Sequence, residues 1–162
     1  MSRPGPGGRR PQASSKDATS SPSGSWASSP ATRKVMLGNR RRDTKPELRV
    51  RSRLHARGLR YLVDKAPIPT VRSRADLVFR GSRVAVYIDG CFWHGCPLHH
   101  TVAKSNQDYW AAKLAANRER DERVVRTLEA AGWLPLRFWE HEDPDLVASE
   151  VERCVRARGA WR

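Results

Sequence analysis

Apolar and polar positions recur with two different periods along this chain, and the switches between the two periods delimit its elements. Thr44 and Glu47 have the spacing of a helix capping box, Pro46 suits a first turn, and Gly58 is a stop. A helix is therefore predicted from there to about Arg57, held down by Leu48 and Leu54. Leu59, Tyr61 and Val63 alternate as in a strand, and Pro67 and Pro69 break the next stretch into a loop. Ala75 to Phe79 and Val84 to Ile88 are short apolar runs joined by Arg80-Gly81-Ser82, the pattern of an antiparallel hairpin. Residues 95–105 read as loop. A long helix is predicted from about Asn106 to Ala131, with Ser105 and Asp108 able to cap its start and Gly132 closing it. Its expected buried stripe is Tyr109, Trp110, Leu114, Val124, Val125, Leu128 and Ala131. Trp133 to Trp139 is a further strand, placed near a sheet edge by Pro135. Strand, long helix and strand in this order imply a right-handed parallel crossover. Asp143-Pro144 opens a last helix that ends near Gly159. The sum is an α/β layer fold with a mixed sheet, without internal repeats.

Composition changes this picture at the N-terminus. Residues 1–30 are rich in Ser, Pro, Gly, Ala and Arg, with too little apolar area to balance the entropy of ordering, and are expected to be a disordered basic tail. The folded domain is expected over 31–162. The formal net charge is +14, and ten basic residues precede Glu47 against only Asp17 and Asp43. Such an excess points to a polyanion partner, because each phosphate neutralised releases counterions. No apolar run approaches the ~18 residues of a membrane span, and no secretory signal is apparent. Three cysteines, two of them beside histidines, favour a metal over a disulfide framework and a reducing cytoplasm.

The chemistry gathers around Val84 to His100. Asp76 begins one hairpin strand and Asp89 ends the other, so antiparallel pairing brings both to one sheet edge, and Glu47 projects from a helix that must pack there. Hard oxygen ligands of this kind suit Mg²⁺, which can activate water and neutralise charge on a phosphodiester. Turn and capping roles are the plain alternative for these acids. Cys91 and Cys96, with His99 or His100 and with His141 just after the neighbouring strand, have the ligand types of a tetrahedral zinc site, and buried free thiols with surface histidines are the plain alternative. Cys154 is assigned to the core. His94 is placed either to take a proton from water or to serve as a hydrogen-bonded structural histidine. Phe92 and Trp93 either stack on bases or pack in the core.

Asp-Gly-Cys-Phe-Trp-His-Gly-Cys-Pro (Asp89 to Pro97) resembles the core motif of the very short patch repair endonucleases. Asn39-Arg-Arg-Arg-Asp-Thr-Lys-Pro-Glu47, the segment from Tyr109-Trp110 to Asp121, and Leu136-Arg-Phe-Trp-Glu-His141 resemble the same family in the same order. The resemblance implies a restriction-endonuclease-like fold with structural zinc. It implies a Mg²⁺-dependent nick 5′ of the thymine in T:G mismatches left by 5-methylcytosine deamination, which starts very short patch repair. Asp76 would be the central metal ligand, Ile88 would offer its backbone carbonyl, and Glu47 and His94 would be catalytic. Cys91, Cys96, His99 and His141 would hold zinc, and Phe92, Trp93 and Met36 would intercalate beside the mismatch. Arg40, Arg41 and Arg42 complete the expected DNA contacts. Familiar members carry a histidine where this chain has Asp89, so this acid is expected either as an extra metal ligand or as the base. The expected setting is a monomer on double-stranded DNA at the bacterial nucleoid, linked in function to a DNA cytosine methyltransferase and a repair polymerase. A restriction-type nuclease on unmismatched DNA and a non-catalytic zinc-containing DNA-binding module are the alternatives.

Overall fold

The computed structural model describes residues 42–99 and 106–159. Met36, Arg40, Arg41, Ser105 and His100, together with the expected tail over 1–30, lie outside the described residues. The elements run α1 (Lys45–Ala56), β1 (Leu62–Lys65), β2 (Ala75–Phe79), β3 (Val84–Asp89), a single helical turn α2 (Cys91–His94), α3 (Gln107–Ala130), β4 (Leu134–Trp139) and α4 (Pro144–Gly159). The strands form one sheet in the order β1-β2-β3-β4, antiparallel except for the parallel β3/β4 pair. This is the expected mixed sheet flanked by helices, with β4 at the edge that tolerates Pro135.

Both faces of the sheet are covered, which is why β2 and β3 read as nearly continuous apolar runs. On one face Val50 and Leu54 of α1 and Val147, Ala148 and Val151 of α4 pack on Leu77, Phe79, Val84 and Val86. On the other, Val124 and Leu128 of α3 pack on Val78, Ala85 and Tyr87. Cys154 is buried, as expected. Hairpin pairing sets Leu77 opposite Val86 and Phe79 opposite Val84, which places Asp76 beside the C-terminal end of β3. β4 then runs parallel to β3, with Arg137 opposite Tyr87 and Trp139 opposite Asp89.

Several expectations are corrected. Leu48 is 45% exposed, because α1 turns Glu47, Val50 and Leu54 inward instead. Residues 91–94, to which the sequence assigns no element, form a helical turn, ended by Gly95 in the left-handed region at φ 68°. The start of α3 is not capped by Asp108; Asn106 occupies the N-cap position with no side-chain cap. Tyr109 is 48% exposed and Ala131 is exposed, because only the last turns of α3 cover the sheet. Its earlier turns face α2, and the buried residue there is polar, Asn117. Leu128 is fully buried and joins α3 to the sheet. Leu128→Ala should destabilise the fold by about 2–5 kcal/mol, read as a lower urea midpoint.

Candidate active site

A cleft of about 1130 Å³ opens at the C-terminal end of β3. Glu47, Asp76, Asp89 and His94 all line it, so the topology does bring these distant residues together. Asp76 Oδ2 accepts the Ile88 backbone N–H at 2.7 Å. Burial pushes the Asp76 carboxyl up to about 7, against that hydrogen bond, and the charges of Glu47, Asp89 and Asp64 push it the same way as burial. A carboxylate crowded by like charges gains from a cation, so the cleft suits a divalent ion.

Glu47 is also a capping residue. It is 4% exposed, and its carboxylate accepts the Asp43 N–H at 2.9 Å and the Thr44 hydroxyl at 2.8 Å. The Thr44 side chain makes no reciprocal bond to the helix, so only half of the expected capping box forms, and it reaches one residue further back. Arg42 lies beside Asp43 and Asp64.

The turn α2 is gripped by α3 through three consecutive residues. Asn117 Nδ2 donates to the Trp93 carbonyl at 2.8 Å, and Arg118 donates to the Gly95 carbonyl at 3.0 Å. Between them, His94 Nδ1 meets Asp121 Oδ2 at 2.6 Å. A carboxylate only accepts, so Nδ1 is the donor, and in the neutral imidazole the lone pair is then on Nε2. Burial pushes the Asp121 carboxyl up, but His94, Arg137 and Arg120 outweigh it and hold the group below its usual range. Gly95 is required at its position, since a Cβ there would lie 2.7 Å from the Arg118 guanidinium and 2.9 Å from Leu114.

Asp89 has a partner that the sequence does not announce. Both of its oxygens accept from Arg137, at 2.6 and 2.7 Å, while Arg137 Nη2 also lies 3.0 Å from Asp121. The acid expected as a metal ligand or base is one side of an ion pair, because β4 sets an arginine beside it. Sequence reading did not single out Asn117, Asp121 or Arg137 for a role. Asn117 and Asp121 lie beside and in a charged run where nothing local says which side turns inward, and Arg137 is the lone charge of an otherwise uncharged strand.

Cys91, Cys96, His99 and His141 each offer a ligand atom, all within 4.8 Å of one another. Cys91 Sγ lies 3.1 Å from His141 Nδ1, and Cys96 Sγ lies 3.8 Å from the Nδ1 atoms of both histidines. Burial, with Cys96 and Glu140 adding, pushes the Cys91 thiol up to about 11. Two thiols and two imidazoles at these separations fit a tetrahedral thiophilic cation. Glu140 ties this group to α2 by accepting the Cys91 N–H at 2.7 Å.

Phe92 and Trp93 are half-buried and both border the cleft. They form a cluster with Trp110 of α3, with ring centroids 5.2 Å (Phe92–Trp93), 5.3 Å (Phe92–Trp110) and 5.9 Å (Trp93–Trp110) apart. Trp110 thus extends the expected aromatic pair across the helix boundary. Among the cleft's other walls stand Arg72, Arg74, Arg120 and Arg123.

Buried acids and an oriented histidine beneath a basic rim are the layout of a phosphodiester hydrolase. Similarity to known proteins carries this further. Residues 27–101 match the family described as DNA mismatch endonuclease Vsr. The type II nicking enzyme V.NaeI of Lentzea aerocolonigenes is 47% identical over 120 residues, which cover 72% of this chain and 72% of the relative. The type II nicking enzyme V.XorIIP of Xanthomonas oryzae pv. oryzae is 38% identical over 126 residues, covering 76% of this chain and 90% of the relative. The DNA mismatch endonuclease Vsr of Escherichia coli is 36% identical over 103 residues, covering 61% and 62%. This chain belongs to the Vsr family of DNA mismatch endonucleases, and is a DNA-cleaving hydrolase of the nicking kind. No helix among the described residues is long and apolar enough to cross a membrane.

Asp121 supports a pH test. Its carboxyl lies below the ordinary value of 3.8 in the fold, so its stabilising effect is full above that value and is lost as the pH falls through the folded value. Asp121→Asn should therefore be less stable than the parent near neutrality. The gap should close as the pH falls below 3.8, followed by urea unfolding at a series of pH values. Asn117→Ala leaves the Trp93 carbonyl without its partner and should cost about 1–3 kcal/mol in the same assay.

Proposed function

We propose that this chain nicks double-stranded DNA on the 5′ side of the thymine in a T:G mismatch and so starts very short patch repair of deaminated 5-methylcytosine. The observation that carries the reading is the convergence of Glu47 and Asp76 with a histidine held by Asp121, in a cleft walled by Phe92 and Trp93. The family supports the mismatch substrate, and the aromatic wall supports local opening of the base stack.

In this reading Asp76 would be the central Mg²⁺ ligand, with the Ile88 carbonyl as a second, and Glu47 would be catalytic beside them. Mg²⁺, when bound, supplies Lewis acidity toward the phosphodiester and lowers the cost of charge on the leaving oxygen. His94 presents Nε2 toward the cleft and takes the proton of the attacking water, with Nδ1 fixed on Asp121. Cys91, Cys96, His99 and His141 would hold a structural Zn²⁺, which would tie α2 to the end of β4. Phe92, Trp93 and Met36 enter beside the mismatch, and Arg40, Arg41 and Arg42 meet the phosphates. The protein works as a monomer in the bacterial cytoplasm, on DNA modified by a cytosine methyltransferase and resynthesised by a repair polymerase.

A labelled duplex with one T:G pair tests this in the presence of Mg²⁺. Strand-specific nicking is expected, lost in Asp76→Ala and absent when divalent ions are chelated. Equal cutting of matched duplex would turn the reading toward a restriction-type nuclease, and binding without cleavage toward a DNA-binding module. Purified protein should carry about one zinc per chain. Cys96→Ser should lose it and melt at a lower temperature, by metal analysis and thermal unfolding.

A further inference from the structure

Arg137 stands where the sheet meets the helix that orients His94. Its Nε and Nη2 donate to Asp89 of β3 at 2.7 and 2.6 Å, and the same Nη2 lies 3.0 Å from Asp121 Oδ2 on α3. One nitrogen is thus shared by two carboxylates. The guanidinium also lies over the Tyr87 ring at 5.1 Å, which holds its plane. Asp121 Oδ2, the oxygen nearest Arg137, is the oxygen that receives His94 Nδ1. Asp89 Oδ1 lies 3.8 Å from His94 Nε2, on the other side of the same ring.

We propose that Arg137 is a positioning residue for the nicking reaction, which by bridging Asp89 and Asp121 keeps Asp121 seated on His94 and Nε2 aimed at the cleft. The inference rests on the reading of His94 as the group that faces the attacking water. Without the guanidinium, Asp89 and Asp121 are two like charges on either side of the imidazole in a partly buried site, and their repulsion drives Asp121 from its place. Asp89 alone gives no such support, since among the described residues its carboxylate is paired with Arg137 and otherwise only lies 3.8 Å from the His94 ring. The two residues work as a unit. The arginine is needed because the acid is there, and removing the acid reduces the need for the arginine.

The test is a set of single-turnover nicking rates on the T:G duplex with enzyme in excess, alongside DNA affinity and thermal unfolding. Arg137→Gln should lower the rate about 100-fold, the scale of a misplaced reacting group, with affinity for the duplex within about threefold. Asp89→Asn added to Arg137→Gln should recover at least tenfold of the lost rate. A residue that only braces the fold would show neither the rate-specific loss nor the recovery. Arg137→Gln at the parental rate, or a double variant no faster than the single, would overturn the proposal. Should Arg137→Gln fail to fold, Arg137→Lys takes its place, because a single-point ammonium lacks the planar fork that spans both carboxylates. It should lose at least about tenfold and be restored likewise by Asp89→Asn, and a parental rate in it overturns the proposal. His94→Ala separates the two levels. Nicking that survives it refutes the reading of His94 and the inference with it, whereas a dead His94→Ala beside an unrestored double variant refutes the inference alone.

Discussion

The grip of α3 on the four-residue turn α2 is the constraint on which the site depends. A single helical turn has almost no stability of its own, since nucleating a helix fixes several dihedrals for one hydrogen bond. Here Asn117, Arg118 and Asp121 hold three consecutive residues of that turn and its exit, and Glu140 holds its first N–H. The anchors come from a helix set on the sheet by buried Val124 and Leu128 and from the end of a strand paired with β3. Functional atoms on an otherwise unstable segment are thereby placed with the rigidity of the core. Leu128 and Val124, far from any reacting atom, are part of that placement.

The electrostatics run against the chain's overall sign. A protein of net charge +14 collects carboxylates into one cleft and pushes Asp76 up to about 7 by burial and by neighbouring acids. The basic excess attracts a polyanion from a distance, whereas the local acid cluster would repel a phosphate unless a cation stood between them. The two scales divide the work. Long-range field brings DNA to the surface, and short-range ligand geometry decides which group reaches a phosphodiester.

Much of this was legible in the sequence, for identifiable reasons. The hairpin and its acids come from a period of two and a Gly-containing turn, and a hairpin's register then carries Asp76 to the end of β3. The Cys and His set is a matter of residue types that are rare elsewhere in the chain, and several distinct motifs in one order pointed to the family. What stayed hidden depends on which way a helix faces. Leu48 looked like an anchor and points outward, while Glu47 beside it is buried. Asn117 and Asp121 sit in a polar stretch where no apolar stripe marks the inner side, and it is α2, not the sheet, that they face. Arg137 reads as the polar member of an ordinary edge strand until parallel pairing sets it across from Tyr87 and beside Asp89.

The parallel pairing of β4 has one more consequence. Antiparallel neighbours inherit their alignment from the turn that joins them, but β4 reaches the sheet through a 24-residue helix that dictates no alignment at all. A slip by one residue would reverse the side on which every β4 side chain stands, Arg137 included. The thiol–imidazole group lies just past the end of this strand, with His141 against Cys91 at the far end of β3. That knot of thiols and imidazoles acts as a bolt on the alignment of two strands, so side chains outside the reacting centre set which charge stands next to it.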